Sequence, residues 1–335
     1  MEKSKSNYKI SILIPVYGVE RFIEKCANSL FHQSYQNIEY IFVNDCSKDR
    51  SIDVLKRIIS KYPHLNDRIK IINHETNKGL SGARNTALLA STGDYIMPFD
   101  SDDYISDDNA VQSIVKEIEN NDADVVLFNM QHVYKNKTYI PKVTIPESTS
   151  DIVKASLKRT IPVCLCGGVY KKSLFTSHGI QSVEGLSMGE DYVVKPRILY
   201  YAKKIVYLNK AYYCYLHTNE SSYTNSFNFS RITDLSKCMS ILRSFFSSVP
   251  DSNNYIKDID IADTQTLSEI YVNWAIGNGN SSDLKKIKTL IPNSCNYANA
   301  IGWRNKTIIF LASINSYLLL KYFIRIGARI KQILK

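Results

Sequence analysis

Residues 93–104 read GDYIMPFDSDDY, and this stretch decides the predicted fold. The apolar run at 95–99 has the β-branched and aromatic character of a buried strand. Three carboxylates, Asp100, Asp102 and Asp103, follow it directly. Three negative charges at the end of a buried strand repel one another unless a cation lies among them. The stretch therefore predicts a strand whose carboxyl end carries a cation site.

The surrounding sequence alternates between strand-like and helix-like periods. Short apolar runs typical of buried strands lie at 10–16, 38–43, 68–73, 94–99 and 124–130. Helix-like segments lie between them at 19–33, 49–62, 80–91 and 107–121. This alternation predicts an α/β fold of the Rossmann-like kind, with a mainly parallel sheet flanked by helices. Residues 231–276 read as helical with mixed charge.

The carboxyl ends of the predicted strands bring polar groups to one edge of the sheet, where open α/β sheets bind ligands. Asp100 and Asp102 are two residues apart on an extended segment, so their side chains point the same way. That geometry suits Mg²⁺ or Mn²⁺, which commonly binds one or two carboxylates together with substrate phosphates. Upstream, the tract NKGLSGARNTAL places Arg84 near a helix N-terminus, which favours a phosphate or a nucleobase.

Other metal and phosphate sites fit the acidic stretch less well. An EF-hand loop starting at Asp100 would need glycine and glutamate where Ile105 and Val111 stand. A haloacid-dehalogenase-like phosphatase has its Asp-x-Asp on the first strand, and here the pair follows the fourth. A sugar-nucleotide pyrophosphorylase needs a glycine-rich loop after the first strand, and PVYGVERF has one glycine.

Five segments resemble a known family. SILIPVYG, YIFVNDCSKDRS, NKGLSGARNTAL, GDYIMPFDSDDY and MGEDYVV follow, in order and spacing, the motifs of the inverting family 2 glycosyltransferases, over roughly residues 8–225. The resemblance implies a GT-A fold, a UDP-sugar donor, a glycan or lipid-linked glycan acceptor, a Mn²⁺ or Mg²⁺ cofactor and a role in bacterial polysaccharide synthesis. The alternatives are a metal-dependent enzyme of sugar-nucleotide handling or phosphotransfer, and a nucleotide-sugar-binding module.

The resemblance also implies roles for individual residues. The donor site would contain Pro15, Tyr17, Asp45, Arg84, Asp100 and Ser101. Within that set, Asp45 would accept a hydrogen bond from the uracil N3–H, and Pro15 and Tyr17 would border the nucleotide. Asp102 would bind the metal, with Asp100 at the ribose or at metal-bound water.

Catalysis requires a base on the opposite face of the sugar from the leaving diphosphate. The resemblance places Asp191 in that role, with Glu190 beside it. Many relatives carry an arginine where Leu216 stands, and the adjacent His217 is a candidate substitute, either as a cation or as a third metal ligand. Asp103 is expected either to support Asp102 or to cap a helix.

The charge of the chain is concentrated at its C-terminal end. Of the 42 Lys and Arg residues, ten lie in residues 284–335, where no Asp or Glu occurs, and the other 32 balance the 32 acidic residues. We therefore predict a catalytic domain at 1–225, a helical extension at 226–303 and a basic amphipathic tail at 304–335. Lys321, Arg325 and Arg329 form a cationic stripe that favours an anionic membrane surface.

The composition indicates the cellular compartment of the protein and the classes of partner it can bind. Seven scattered cysteines and a short, polar start without a signal h-region favour the reducing cytoplasm. Together with the basic tail, this predicts an enzyme peripherally attached to the inner membrane. No nucleic-acid partner is expected, because the basic residues of the tail alternate with bulky aliphatic residues rather than with exposed aromatic residues or glycines.

Overall fold

A computed structural model describes residues 7–217, 230–277, 279–289 and 295–333. The chain divides into two compact units. The first, here the sheet unit, comprises Met1–Val153, Ile161–Leu186 and Val194–Ser222. The second, here the helical unit, comprises Lys154–Thr160, Ser187–Val193 and Tyr223–Lys335. The boundary predicted at residue 225 lies outside the described residues.

The sheet unit is built around one nine-stranded sheet. Its strands are β1 (Ile10–Val16), β2 (Ile38–Asn44), β3 (Ile69–Asn73), β4 (Tyr95–Pro98), β5 (Tyr104–Ile105), β6 (Val125–Val133), β7 (Thr138–Tyr139), β8 (Gly168–Lys171) and β9 (Ile205–Leu216). They run in the order β3-β2-β1-β4-β8-β6-β9-β5, and β7 pairs with β6. The sheet is accompanied by α1 (Ile23–Phe31), α2 (Ser51–Ile59), α3 (Gly79–Ala90), α4 (Ala110–Asn121) and α6 (Ser173–Thr176).

The predicted α/β class is confirmed, with one difference in the direction of the strands. β3, β2, β1 and β4 are parallel, as expected from strands that are joined through helices. β8 then inserts antiparallel between β4 and β6, so the second half of the sheet is mixed. β8 is only four residues long, which is too short for its direction to be read from a hydrophobic pattern.

The helical unit has its own apolar core. Its main helices are α8 (Ser230–Ser248), α9 (Ile256–Ile276), α10 (Ser281–Thr289), α11 (Gly302–Ser313) and α12 (Tyr317–Ile333). Two further helices, α5 (Thr149–Leu157) and α7 (Glu190–Tyr201), cross the division between the units. Tyr271 and Trp274 of α9 share a buried cluster with Leu320 and Ile324 of α12. The described part of the predicted tail is therefore packed, along one side, within the helical unit.

Two of the three cations in the predicted stripe of the tail, Lys321 and Arg325, donate to backbone carbonyls of the protein. Lys321 Nζ donates to the Gly279 carbonyl at 3.0 Å, and Arg325 Nε donates to the Ala275 carbonyl at 3.1 Å. The Ala275 carbonyl lies in the last turn of α9, where carbonyls carry partial negative charge, so Arg325 stabilises the end of this helix. Lys321 binds the chain just beyond that end. None of the helices in the described part of the chain combines the length and the hydropathy needed to cross a membrane.

Candidate active site

The loop after β1 is fixed to the loop after β2 by side chains. Gly18, whose φ of +69° suits glycine, donates its N–H to Ser47 Oγ at 2.8 Å. Asp49 accepts hydrogen bonds from Ser47 and from the Glu20 N–H. Burial raises the pKa of Asp49, but these and neighbouring hydrogen bonds outweigh it and bring the pKa to about 2. The loop therefore holds the exposed ring of Tyr17 beside the strand ends.

Asp45, directly after β2, is buried and held in one orientation. His74 Nδ1–H donates to Asp45 Oδ1 at 2.7 Å, and the Lys78 N–H donates to the same oxygen at 2.8 Å. The other ring nitrogen of His74 lies 2.8 Å from the Thr86 hydroxyl, so the ring is hydrogen-bonded on both sides. Both protein hydrogen bonds reach one oxygen of the carboxylate, so its acceptor capacity exceeds the donors around it.

Asp100 and Ser101 follow β4, and the structure gives each a bonded neighbour. Arg84 Nη2 donates to Asp100 Oδ1 at 2.9 Å, with the Arg84 side chain 6% exposed and the Asp100 side chain 30% exposed. Ser101 is buried, and its hydroxyl donates to the Pro15 carbonyl at 2.6 Å. Arg84 thus orients Asp100, and Ser101 ties the end of β4 to the end of β1. Direct contact of either residue with a donor stays a prediction.

Of the two roles expected for Asp103, the helix cap is wrong, and support of Asp102 stays a prediction. Asp103 is 1% exposed and accepts hydrogen bonds from the Tyr213 hydroxyl at 2.5 Å and from the Leu216 N–H at 2.7 Å. It caps no helix, since α4 begins seven residues later at Ala110. Asp103 instead fastens residues 100–103, here called the acid loop, to the carboxyl end of β9.

The acid loop brings three carboxyl groups close enough to influence one another. Burial, and then the charges of Asp102 and Asp100, raise the pKa of Asp103 to about 9. Burial and the same three carboxylates also raise the pKa of the Cys26 thiol well above its usual range. The carboxyl groups of the acid loop therefore act electrostatically on one another and on the neighbouring Cys26 thiol.

This donor set fits a small, hard dication that is completed by a ligand. Over the described ranges, no group of three or more His, Cys, Asp and Glu side chains is placed to hold a metal without other ligands. Mg²⁺ and Mn²⁺ do not need such a cage, because they bind through one or two carboxylates and the phosphates of a substrate. Half-buried Asp102 and part-exposed Asp100 are oxygen donors of that kind.

His217, the other predicted metal ligand, belongs to an aromatic cluster at the end of β9. Its Nε2 lies 2.8 Å from His132 Nδ1, and its ring stacks on Tyr134 with centroids 4.1 Å apart. The Leu216 N–H, one residue earlier, is bonded to Asp103, so the cluster adjoins the acid loop along the chain. A metal-binding role for His217 stays a prediction.

Glu190 and Asp191 open α7, and the loop before them is tightly packed. Gly189 has a φ of +81°, and a Cβ there would lie 2.7 Å from Cys238 Sγ. Tyr192 is buried and its hydroxyl donates to the Leu157 carbonyl at 2.7 Å. The first turn of α7 is therefore fixed, and the helix dipole there favours the ionised form of Asp191. These two acids lie in the helical unit, and the other predicted site residues lie in the sheet unit.

Sequence reasoning missed two residues that support the site. His74 orients Asp45, and Tyr213 holds Asp103. Neither lies in a motif, and each contacts its partner only because the sheet brings distant segments together. Tyr213 could have been suspected from the aromatic run at 212–215, but its partner could not.

Comparisons with known proteins identify the family. The family described as Glycosyl transferase family 2 matches residues 11–176. The chain belongs to this family. Glycosyltransferase GlyA of Streptococcus pneumoniae is 32% identical over 222 residues, which are 62% of this chain and 30% of GlyA. TarS of Staphylococcus aureus, a poly(ribitol-phosphate) beta-N-acetylglucosaminyltransferase, is 28% identical over 221 residues, which are 65% of this chain and 37% of TarS. The matches therefore span well under half the length of these two relatives.

Solved structures share the fold. A crystal structure of S. aureus TarS residues 1–349 with UDP-GlcNAc superposes with a TM-score of 0.72 at 19% identity, covering 96% of this chain and 92% of that one. The mannosyltransferase PcManGT of Pyrobaculum calidifontis, crystallised with GDP-Man and Mn²⁺, gives a TM-score of 0.54 at 13% identity, covering 99% and 90%. This chain therefore has the GT-A fold of TarS, with a helical C-terminal region.

Proposed function

We propose that this chain transfers a sugar from a UDP-sugar donor to a glycan or lipid-linked glycan acceptor, with inversion at the anomeric carbon. The observation that carries the proposal is the acid loop, where Asp100 and Asp102 follow β4 and Asp103 is withdrawn into the protein. The complex of TarS with UDP-GlcNAc, on the same fold, supports a uridine-type donor.

The donor base is recognised by Asp45. His74 and the Lys78 N–H occupy Oδ1, and the second oxygen accepts the N3–H of uracil. A buried carboxylate in a fixed orientation discriminates well, because a base without a donor at that position would leave the oxygen unpaired. Pro15 and the half-exposed ring of Tyr17 border the nucleotide.

Asp102, assisted by Asp100, would hold Mn²⁺ or Mg²⁺. When bound, the dication would neutralise the charge that develops on the departing diphosphate. Arg84 keeps Asp100 in its orientation and supplies positive charge next to it. The presence of Mn²⁺ in the complex of PcManGT, which shares the fold, supports a metal-dependent reaction.

Asp191 takes the proton of the acceptor hydroxyl. The hydroxyl oxygen forms a bond to the anomeric carbon while the bond from that carbon to the diphosphate oxygen breaks, and its electron pair leaves with UDP. A single displacement from the opposite face inverts the configuration. Glu190, beside Asp191 in the first turn of α7, positions the acceptor or the base.

The acceptor and the location follow from the charge of the tail. Residues 284–335 carry ten cations and no acidic residue, which suits an anionic membrane surface at which lipid-linked glycans are extended. We therefore place the enzyme in the cytoplasm, attached peripherally to the inner membrane.

The proposal is tested by UDP release from a panel of UDP-sugars with Mn²⁺ and purified full-length protein. Asp102→Asn should lower kcat/KM at least ~10³-fold, because it removes a ligand that acts mainly in the transition state. The matched control is Asp108→Asn, an exposed acid six residues later, which should leave the rate unchanged. Full turnover by Asp102→Asn, together with indifference to a chelator, would overturn the proposal.

A further inference from the structure

α12 has two apolar faces, and only one of them is covered in the described structure. Leu320 and Ile324 are 0% exposed and pack against α9. Leu318, Tyr322 and Ile326, at i, i+4 and i+8, form a second stripe and are 88%, 68% and 40% exposed. A helix that is apolar on both sides requires a second apolar environment.

The exposed stripe continues along the hairpin that α11 makes with α12. The Trp303 ring lies 6.1 Å from the Phe323 ring, which joins the start of α11 to the middle of α12. Trp303 itself is 74% exposed, and Ile314, at the turn between the helices, is 53% exposed. The exposed hairpin face consists of Trp303, Phe310, Ile314, Leu318, Leu319, Tyr322 and Ile326.

The charged residues of α11 and α12 themselves are all cationic. Arg304 and Arg329 are exposed on α11 and α12, and residues 284–335 contain no acidic residue. Arg329 lies within about 20° of Leu318 around the helix, at 100° per residue, so it belongs to the exposed stripe. Lys321 and Arg325 are bonded to backbone carbonyls at the end of α9, as described above.

We propose that the exposed hairpin face docks on an anionic lipid bilayer, with its apolar side chains in the interfacial region and Arg304 and Arg329 at the lipid phosphates. Tryptophan, tyrosine and leucine combined with arginine suit the boundary between headgroups and acyl chains. A second copy of the chain is a poorer occupant, because it would bring a second set of cations against the first. The apolar stripe, rather than the cationic stripe predicted from the sequence, makes the main contact.

The test is co-sedimentation of the full chain with vesicles of phosphatidylglycerol and phosphatidylcholine. Leu318→Gln with Leu319→Gln should lower the partition coefficient at least about tenfold, because two leucines no longer leave water. The matched control is Leu89→Gln on α3, which is 75% exposed and should bind like the unchanged protein. Arg329→Gln should weaken binding about fivefold on anionic vesicles and not on pure phosphatidylcholine.

Three outcomes would overturn the inference. The first is that the unchanged chain does not bind anionic vesicles. The second is that the double glutamine variant, with unchanged circular dichroism, binds as well as the control. The third is that sedimentation velocity without lipid shows self-association that the double variant abolishes, which would assign the face to a second copy of this chain. The inference rests on the membrane attachment of the proposed function and assigns the surface that makes it; the sedimentation test does not depend on the transfer reaction, which the UDP-release assay tests separately.

Discussion

Two groups of buried carboxylates in this protein are neutralised in different ways. In the helical unit, Asp260 and Asp263 share Arg243, whose guanidinium lies 2.7 Å from one and 2.6 Å from the other. In the sheet unit, Arg84 Nη2 lies 2.9 Å from Asp100 Oδ1, and Asp103 is bonded to the Tyr213 hydroxyl and the Leu216 N–H. In the first group one guanidinium contacts both carboxylates, whereas the second combines an ion pair with neutral hydrogen-bond donors.

The difference separates a structural cluster from a ligand site. A buried ion pair with well-formed hydrogen bonds contributes little net stability, but it is costly to break. Carboxylates that lie close together repel one another in the free protein, and a bound cation offsets that repulsion. We therefore expect a dication to bind at the acid loop and not at the Arg243 cluster.

The largest effect is expected from giving the acid loop a counter-ion of its own. Asp102→Lys should abolish UDP release, at least ~10³-fold in kcat/KM, because the metal ligand is lost. The same substitution should leave the midpoint of urea unfolding unchanged or raise it, since the new ammonium offsets the charge of Asp100 and Asp103. The comparison would be contradicted if the variant unfolded at a lower urea concentration and its UDP release still depended on Mn²⁺.

Removing Arg243, the cation that pairs with Asp260 and Asp263, should lower stability rather than catalysis. Arg243→Met leaves Asp260 and Asp263 uncompensated and should lower the free energy of unfolding by about 3–5 kcal/mol. The control is Arg50→Met, which removes an exposed pair with Glu20 at 4.0 Å and should cost less than about 1 kcal/mol. Urea unfolding followed by circular dichroism measures both, and equal losses would contradict the distinction.

The Arg243 cluster also predicts a pH dependence of stability. Burial raises the pKa of Asp263 to about 6, against the attraction of Arg243. A carboxyl whose folded pKa is raised binds its proton more tightly when folded, so its contribution is present below about pH 4 and is lost as the pH rises through about 6. The loss is at most about 3 kcal/mol. Asp263→Asn should flatten stability between pH 4 and 6, and an unchanged slope would exclude Asp263 as its source.

The smallest effect concerns Asp45, whose neighbours are hydrogen-bond donors rather than a charged arginine. His74→Phe removes the ring N–H that orients the carboxylate and should raise the KM for the UDP-sugar about tenfold, with a smaller change in kcat. Thr86→Val should give a weaker effect of the same kind, because Thr86 acts only through His74. A fall in kcat with an unchanged KM would place Asp45 outside donor binding.

Much of the sheet unit could be predicted from the sequence. Strands β1, β2 and β4 are short, mainly apolar runs, and their alternation with helix-like segments predicts a parallel arrangement. The acid loop was also recognisable, because several carboxylates after a buried strand need an explanation. The antiparallel entry of β8 was not, because four residues carry no directional pattern.

The roles of individual side chains were harder to predict, since they depend on contacts between distant segments. Asp102 and Asp103 are adjacent and identical in the sequence, yet Tyr213 and Leu216 withdraw only Asp103 into the protein. Likewise, Lys321 and Arg329 belong to the same predicted stripe. Lys321 donates to the Gly279 carbonyl beyond the end of α9, whereas Arg329 is exposed. A helical pattern shows which residues share a face, and packing decides what that face meets.

The most direct test of the account is a calorimetric titration of Mn²⁺ into the protein with and without UDP. The account predicts that UDP and Mn²⁺ strengthen each other's binding by the same factor, as linkage requires. It also predicts that Asp102→Asn removes this coupling while Asp108→Asn retains it. Binding of Mn²⁺ that is indifferent to UDP, or equal coupling in Asp102→Asn, would contradict the claim that the acid loop holds a cation for the departing diphosphate.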